Sequence, residues 1–205
     1  MVSGRSWRIK RKVIWGYNRL APIYNALYAH EQTQKIKRVL YALDFSPPET
    51  ILDVGCGTGL LFKHISDSAG MLIGVDIARE PLKIAKKLIK DSGIDRTFLV
   101  LADADFLPFK SGVFDKVFAI TLLQNMPDPV LTLNEISRVA KEDAAIIITG
   151  LKKVFSREFF SELLWKAGFN FTLLEGEDDV KCHIAICCKG DPAKNINKRE
   201  MKIIA

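Results

Sequence analysis

The spacing of apolar residues changes character near residue 46. Before that point it is helical: Trp7, Ile9, Val13, Ile14, Tyr17 and Leu20 recur at near-helical intervals, and Ile36, Val39, Leu40 and Leu43 share one face of a stretch that begins at Thr33. Pro22 lacks an amide hydrogen and is expected to interrupt this segment. Ser46-Pro47-Pro48 ends it. Beyond it, short β-leaning runs at 51–54, 71–75, 98–101, 114–120, 145–149, 169–174 and 182–188 alternate with helical patterns. The helices are predicted over 60–68, 79–91 and 128–140, and from a cap at Ser156 to Lys166. In the second of these, Leu82, Ala85, Leu88 and Ile89 point one way and Lys83, Lys86, Lys87 and Lys90 the other.

Strands separated by helices imply βαβ units with right-handed crossovers. The expected fold is therefore α/β, Rossmann-like and doubly wound, with a mostly parallel sheet and helices on both faces. The last two strands are joined only by the acidic turn 175–179, so they form a hairpin and one of them runs antiparallel to the rest. The chain divides into a helical cap at 1–45, a core at 46–190 and a basic tail at 191–205, all in one structural domain.

Composition adds constraints. The chain has 205 residues, enough to bury a core without disulfides. Its longest apolar runs fall short of the ~20 residues a membrane span needs. The amino end shows no secretory pattern, so a cytoplasmic protein without membrane association is expected. The net charge is +6, and residues 1–20 alone carry Arg5, Arg8, Lys10, Arg11, Lys12 and Arg19 without an acid. Residues 189–205 add five bases against two acids, which leaves a mildly acidic body. Basic ends suggest a polyanion such as RNA, or simply solvated termini. Of the four cysteines, Cys182, Cys187 and Cys188 sit in an alternating run that reads as a strand. One loose group lacks the paired spacing of a zinc site, so no metal is expected.

The chemistry gathers after the first strand. Asp53 is followed by Gly55, Gly57 and Gly59, which let the backbone turn sharply and approach a ligand closely. The G-x-G-x-G spacing departs from the dinucleotide fingerprint G-x-G-x-x-G, because Leu60 stands at the last position. Asp76 ends the second strand, where a carboxylate can accept from both hydroxyls of a ribose, or cap the next helix. Leu101-Ala102-Asp103-Ala104-Asp105-Phe106-Leu107-Pro108-Phe109 follows the third strand. A carboxylate there could accept from an exocyclic amine, and Phe106, Leu107 and Phe109 are expected to plug into the core.

Glycine turn, ribose acid, D-A-D-x-L-P-F loop and the strand F-D-K-V-F-A-I together resemble a class I S-adenosylmethionine-dependent methyltransferase. The resemblance covers roughly residues 49–175. It is strongest to the small branch that includes ubiquinone/menaquinone-type and tRNA-wobble-type enzymes. It implies a seven-stranded sheet with the last strand inserted antiparallel beside the fifth, and S-adenosyl-L-methionine as cofactor. It also implies that Asp53 and the turn Gly55, Cys56, Gly57 and Gly59 face the methionine moiety. Asp76 would hold the ribose, Ile77 would pack on adenine, Asp103 and the Ala104 amide would meet its N6 and N1, and Thr121 would lie near the sulfonium. Some relatives of this size need a small zinc-ribbon activator subunit.

The acceptor side departs from that family. Gln124 and Asn125 stand where an L-H-H-x-x-D-P-like stretch often carries histidines. An amide pair can hydrogen-bond an acceptor without taking its proton, and Asn125 can equally cap a turn. A missing base is compatible with methyl transfer when acceptor and methyl are held in line in a dry pocket. His64 and His183 read as structural, and His30 is the outside candidate. Gly16 to Tyr24 is similar to the family's opening helix, which makes Tyr17 and Tyr24 candidates for a lid. Trp7 and Trp15 are expected to cover a sheet edge. The expected function is S-adenosylmethionine-dependent methyl transfer, to RNA or a translation component or alternatively to a small quinone-like or other metabolite; the rival readings are a catalytically silent cofactor-binding subunit and a nicotinamide oxidoreductase.

Overall fold

The structure is a computed structural model that describes residues 4–174 and 180–190. The acidic turn at 175–179 and the basic tail at 191–205 lie outside the described residues. Seven strands form one sheet in the order β3-β2-β1-β4-β5-β7-β6. They are β1 Glu49–Val54, β2 Ala69–Asp76, β3 Thr97–Leu101, β4 Phe114–Ala119, β5 Ala140–Leu151, β6 Asn170–Leu174 and β7 Cys182–Cys188. All neighbours up to β5 pair in parallel, and β7 runs antiparallel between β5 and β6, as the terminal hairpin implied.

Alternation along each strand builds two cores. Leu52, Val54, Val117, Ala119, Ile146, Ile148, Ala185 and Cys187 face one side, against Leu133, Ile136 and Val139 of α4 (Pro129–Val139) and Phe160, Leu163 and Leu164 of α5 (Arg157–Lys166). Ile51, Phe118, Ile147, Ile184 and Ile186 face the other, against α1 (Gly4–Tyr41), α2 (Phe62–Ile65) and α3 (Arg79–Asp91). The parallel strands are thus apolar on both faces, as a doubly covered sheet requires. No helix among the described residues is long and apolar enough to cross a membrane.

Three sequence expectations give way here. Pro22 does not break the first segment: α1 is one 38-residue helix with Pro22 inside it. The lost amide costs one helical hydrogen bond, but Ala21 on one side and Gln32, Lys35, Ile36 and Val39 on the other are all buried by the same body, so packing overrides the break. The helix expected over 60–68 shrinks to one turn, Phe62–Ile65, followed by a 3₁₀ turn at Ser66–Ser68, where the serines and Asp67 support an α-helix poorly. β5 is longer than expected because the polar Lys141-Glu142-Asp143 segment stays extended beyond the end of α4.

Gly74 in β2 shows how tightly the sheet is joined to the glycine turn. A Cβ there would lie 2.5 Å from the Phe62 ring and 2.8 Å from Cys56 Sγ. Phe62 is fully buried and has no room to retreat. Gly74→Ala is expected to destabilise by about 1–3 kcal/mol through overpacking. Chemical denaturation checks this, and Phe62→Leu in the same chain should recover part of the loss.

Candidate functional site

A cleft opens at the carboxyl ends of β1, β2 and β4, where the sheet order reverses. Its floor is the glycine turn. Gly55, Gly57 and Gly59 have φ of 78°, 54° and 79°, the left-handed region that disfavours other residues. The Gly55 and Cys56 amides both donate to the Val75 carbonyl, at 2.7 and 3.0 Å, which ties the turn to β2. At Gly57 the missing Cβ would meet nothing within 4 Å, so bare backbone faces the cleft. Cys56 lines the floor, and burial pushes its thiol well above the ordinary value, which leaves it a poor nucleophile.

Asp76 closes the far side of the floor. One carboxylate oxygen accepts from the Gly57 amide at 2.9 Å and the other from the Ala78 amide at 2.8 Å. Each oxygen keeps capacity for a further donor from the cleft. The N-cap of α3 is Ala78, not Asp76, so the carboxylate acts on the turn and the cleft and is not the cap residue. Ile77, Ala104 and Thr121 also line the cleft, whereas Gly59 does not. A Cβ at Gly59 would lie 2.9 Å from Phe62, so this glycine serves packing beneath the turn.

Asp53 lines the cleft one residue before the end of β1. Burial, reinforced by the Asp76 charge, pushes its carboxyl up to about 8. The folded chain therefore holds a proton at Asp53 that the unfolded chain, with an ordinary value near 3.8, releases. Stability from this group is present at low pH, falls as pH rises from about 4 to about 8, and is level above that. Thermal unfolding across this window is expected to show the decline, and Asp53→Asn should flatten it.

The loop after β3 is joined to the helix above it. Lys10 of α1 is 3% exposed, and its Nζ reaches Asp103 Oδ1 and Oδ2 at 2.7 and 2.6 Å as well as Asp105. Asp105, also buried, accepts from Thr132 Oγ1 of α4. Asp103 lines the cleft, but its carboxylate is shared with Lys10. Arg138 and Glu135 hold the backbone of Leu107 and Phe109. Leu107 is buried and Phe109 packs on the core, but Phe106 is 54% exposed beneath Lys10 and is no plug.

α1 supplies the roof. Val13, Tyr17, Ala21, Tyr24, Gln32 and Ile36 line the cleft from one helix face. Two more polar contacts seat the helix: Thr58 Oγ1 donates to Asn25, and the Glu80 amide to Asn18. Tyr17 and Tyr24 are 6.2 Å apart between ring centroids, and burial raises both phenols. The Tyr17 hydroxyl accepts from Asn125 Nδ2 at 3.1 Å.

At the end of β4, Thr121 has φ 61°, a strained value for a β-branched residue. The conformation is fixed by bonds on all sides. Its amide donates to Thr149 Oγ1, its carbonyl accepts from Gln124 and Asn125, and its hydroxyl meets Gln32 and Lys35. Lys35 is 2% exposed and donates to two neutral groups, Gln32 Oε1 and Thr121 Oγ1. Asn125 lines the cleft, whereas Gln124 does not: its amide nitrogen is spent on the Thr121 carbonyl, and its buried Oε1 has no partner.

None of the three histidines lines the cleft. His30 and His64 are exposed, so His30 drops out as a candidate. His183 stacks on Phe160 with a ring nitrogen 3.1 Å from the Phe155 carbonyl, a packing role. Trp7 and Trp15 are 46% and 63% exposed and cover no sheet edge. The polar residues missed from sequence, Lys10, Gln32 and Lys35, sit on the inward face of α1. Their spacing with Tyr17, Ala21 and Tyr24 along one helix face is the signal that could have found them.

This sheet order, with a glycine turn after β1 and an acid at the end of β2, resembles that of the class I S-adenosylmethionine-dependent methyltransferases. Residues 52–148 match the family model described as "Methyltransferase domain", and this likeness supports S-adenosylmethionine as the cofactor. It is 32% identical over 119 residues to the ubiquinone/menaquinone biosynthesis C-methyltransferase UbiE of Wigglesworthia glossinidia brevipalpis, covering 56% of this chain and 48% of that one. The chain spans about half the length of the curated relatives it matches. A putative S-adenosylmethionine-dependent methyltransferase of Methanococcus maripaludis superposes with a TM-score of 0.72 at 18% identity, over 86% of this chain and 93% of that one. A Haloferax volcanii complex of the Trm112 methyltransferase activator with a putative methyltransferase matches with a TM-score of 0.68 at 17% identity, over 85% and 98%.

Proposed function

We propose that the chain methylates a small acceptor held in the cleft beneath α1. The observation that carries this reading is the roof: Tyr17, Ala21 and Tyr24 cover the cleft, and α1 is fastened there by buried Lys10 and Lys35. A roofed pocket suits a metabolite better than a base within a folded RNA.

The residues fit the cofactor. Gly57 presents bare backbone, Asp76 has acceptor capacity to spare, and Ile77 and Ala104 offer apolar contact. In this reading Asp76 holds the ribose hydroxyls and Ile77 packs on the adenine. Asp103 meets the exocyclic amine while sharing its charge with Lys10, and Asp53 with Gly55, Cys56 and Gly57 receives the methionine end. S-adenosylmethionine supplies a methyl group on a sulfonium, already activated toward an in-line nucleophile. The chain's own task is then positioning and exclusion of water. Tyr17 keeps its phenolic proton at neutral pH because burial raises it, and its oxygen is oriented by Asn125. Asn125, Gln32 and Thr121 can orient a polar acceptor but are not bases.

A cytoplasmic location belongs to this reading; the four cysteines are free thiols, as a reducing compartment would keep them. A small activator subunit is a further proposal, supported by the likeness to one chain of the Haloferax complex.

Calorimetry of the full chain should give S-adenosylmethionine binding and none with a nicotinamide dinucleotide. Incubation of cell extract with labelled cofactor and the chain should then place the label in the small-molecule fraction. Label recovered in RNA would replace this acceptor class, and absence of label from every fraction would favour a silent subunit.

A further inference from the structure

While one face of α1 roofs the cleft, the opposite face carries Arg8, Lys12, Trp15, Arg19, Ile23 and Leu27. Steps of three and four residues place these side chains in one stripe. At 1.5 Å per residue the stripe is roughly 28 Å long. All six are exposed; Trp15, Ile23 and Leu27 are 63%, 54% and 58% exposed. Arg5 and Arg11 are exposed nearby, and no acidic residue occurs between Gly4 and His30. The Arg19 guanidinium lies 4.6 Å from the Trp15 ring centroid, which holds a cation at the edge of the apolar patch.

This face has no role in the cleft or the core. Its charge calls for an anionic partner, and its apolar residues distinguish between anionic partners. Trp15 could stack on a nucleic-acid base, but Ile23 and Leu27 gain little from phosphates or base edges. A lipid surface satisfies both sets, with basic side chains at headgroup phosphates and Trp, Ile and Leu at the acyl boundary. We propose that α1 seats the chain on an anionic bilayer surface, lying in its plane without crossing it. The proposal stands on the outer face alone and does not depend on the methyl acceptor.

Flotation of the full chain with unilamellar vesicles tests it. Equimolar phosphatidylglycerol and phosphatidylcholine should bind the chain roughly tenfold or more tightly than phosphatidylcholine alone, at about 0.15 M salt. The combined variant Arg8→Glu, Lys12→Glu, Arg19→Glu should remove the binding. Ile23→Ser, Leu27→Ser should also weaken vesicle binding roughly tenfold while leaving any binding to polyuridylate unchanged. S-adenosylmethionine calorimetry on both variants checks that the cleft survives, and separates this outcome from failure of the methyltransferase reading. No flotation with anionic vesicles overturns the proposal. So does vesicle binding that is indifferent to the apolar variant, which would reduce the contact to charge attraction with no seating at the acyl boundary.

Discussion

Asp76→Ala is expected to weaken S-adenosylmethionine binding roughly a hundredfold to ten-thousandfold. Hydrogen bonds to a charged group contribute about 1.5–3 kcal/mol each, and two ribose hydroxyls are at stake. The carboxylate also fastens the glycine turn through Gly57 and the end of β2 through Ala78, so the variant loosens the floor as well. Asp76→Asn keeps one carbonyl oxygen as acceptor and should lose roughly tenfold. Titration calorimetry on the three chains measures the series. Binding by the alanine variant within about threefold of the parent would remove Asp76 from the ribose site.

Lys10→Met is expected to cost about 3–5 kcal/mol, because it leaves Asp103 and Asp105 facing each other in a mostly buried site. The loss should fall first on the amino-terminal half of α1, which Lys10 fastens to the loop after β3. Limited proteolysis should therefore cut before Pro22 sooner than the parent is cut, together with a lower unfolding midpoint. Lys10→Met combined with Asp103→Asn and Asp105→Asn removes all three charges and should recover much of the stability. Failure of that recovery would mean that Lys10 acts by packing its stem and not by its charge.

The sheet was legible from sequence because its signals are local. Each strand carries its own apolar run, and Gly55, Gly57 and Asp76 mark the strand ends that form the cleft floor. Cys182–Cys188 and Arg157–Lys166 fall where alternation and the Ser156 cap put them. The roof was not legible in the same way. Lys10 meets Asp103 across 93 residues and Lys35 meets Thr121 across 86, and nothing beside either lysine announces a buried partner. Pro22 misleads for a related reason: its local cost is real, but burial on both sides of it decides the outcome. Gln124 and Asn125 looked equivalent as neighbours, yet a tight turn spends Gln124 on the Thr121 carbonyl and leaves only Asn125 in the cleft.

All four cysteines are buried, and burial raises the thiols of Cys56, Cys182 and Cys187. Maleimides and disulfide reagents attack thiolates, so the native chain is expected to stay silent toward them while folded. A single thiol on the outer face of α1, such as Ala26→Cys, would then accept a fluorophore or spin label without background. Whether the roof shifts on binding could then be read without first removing a native cysteine.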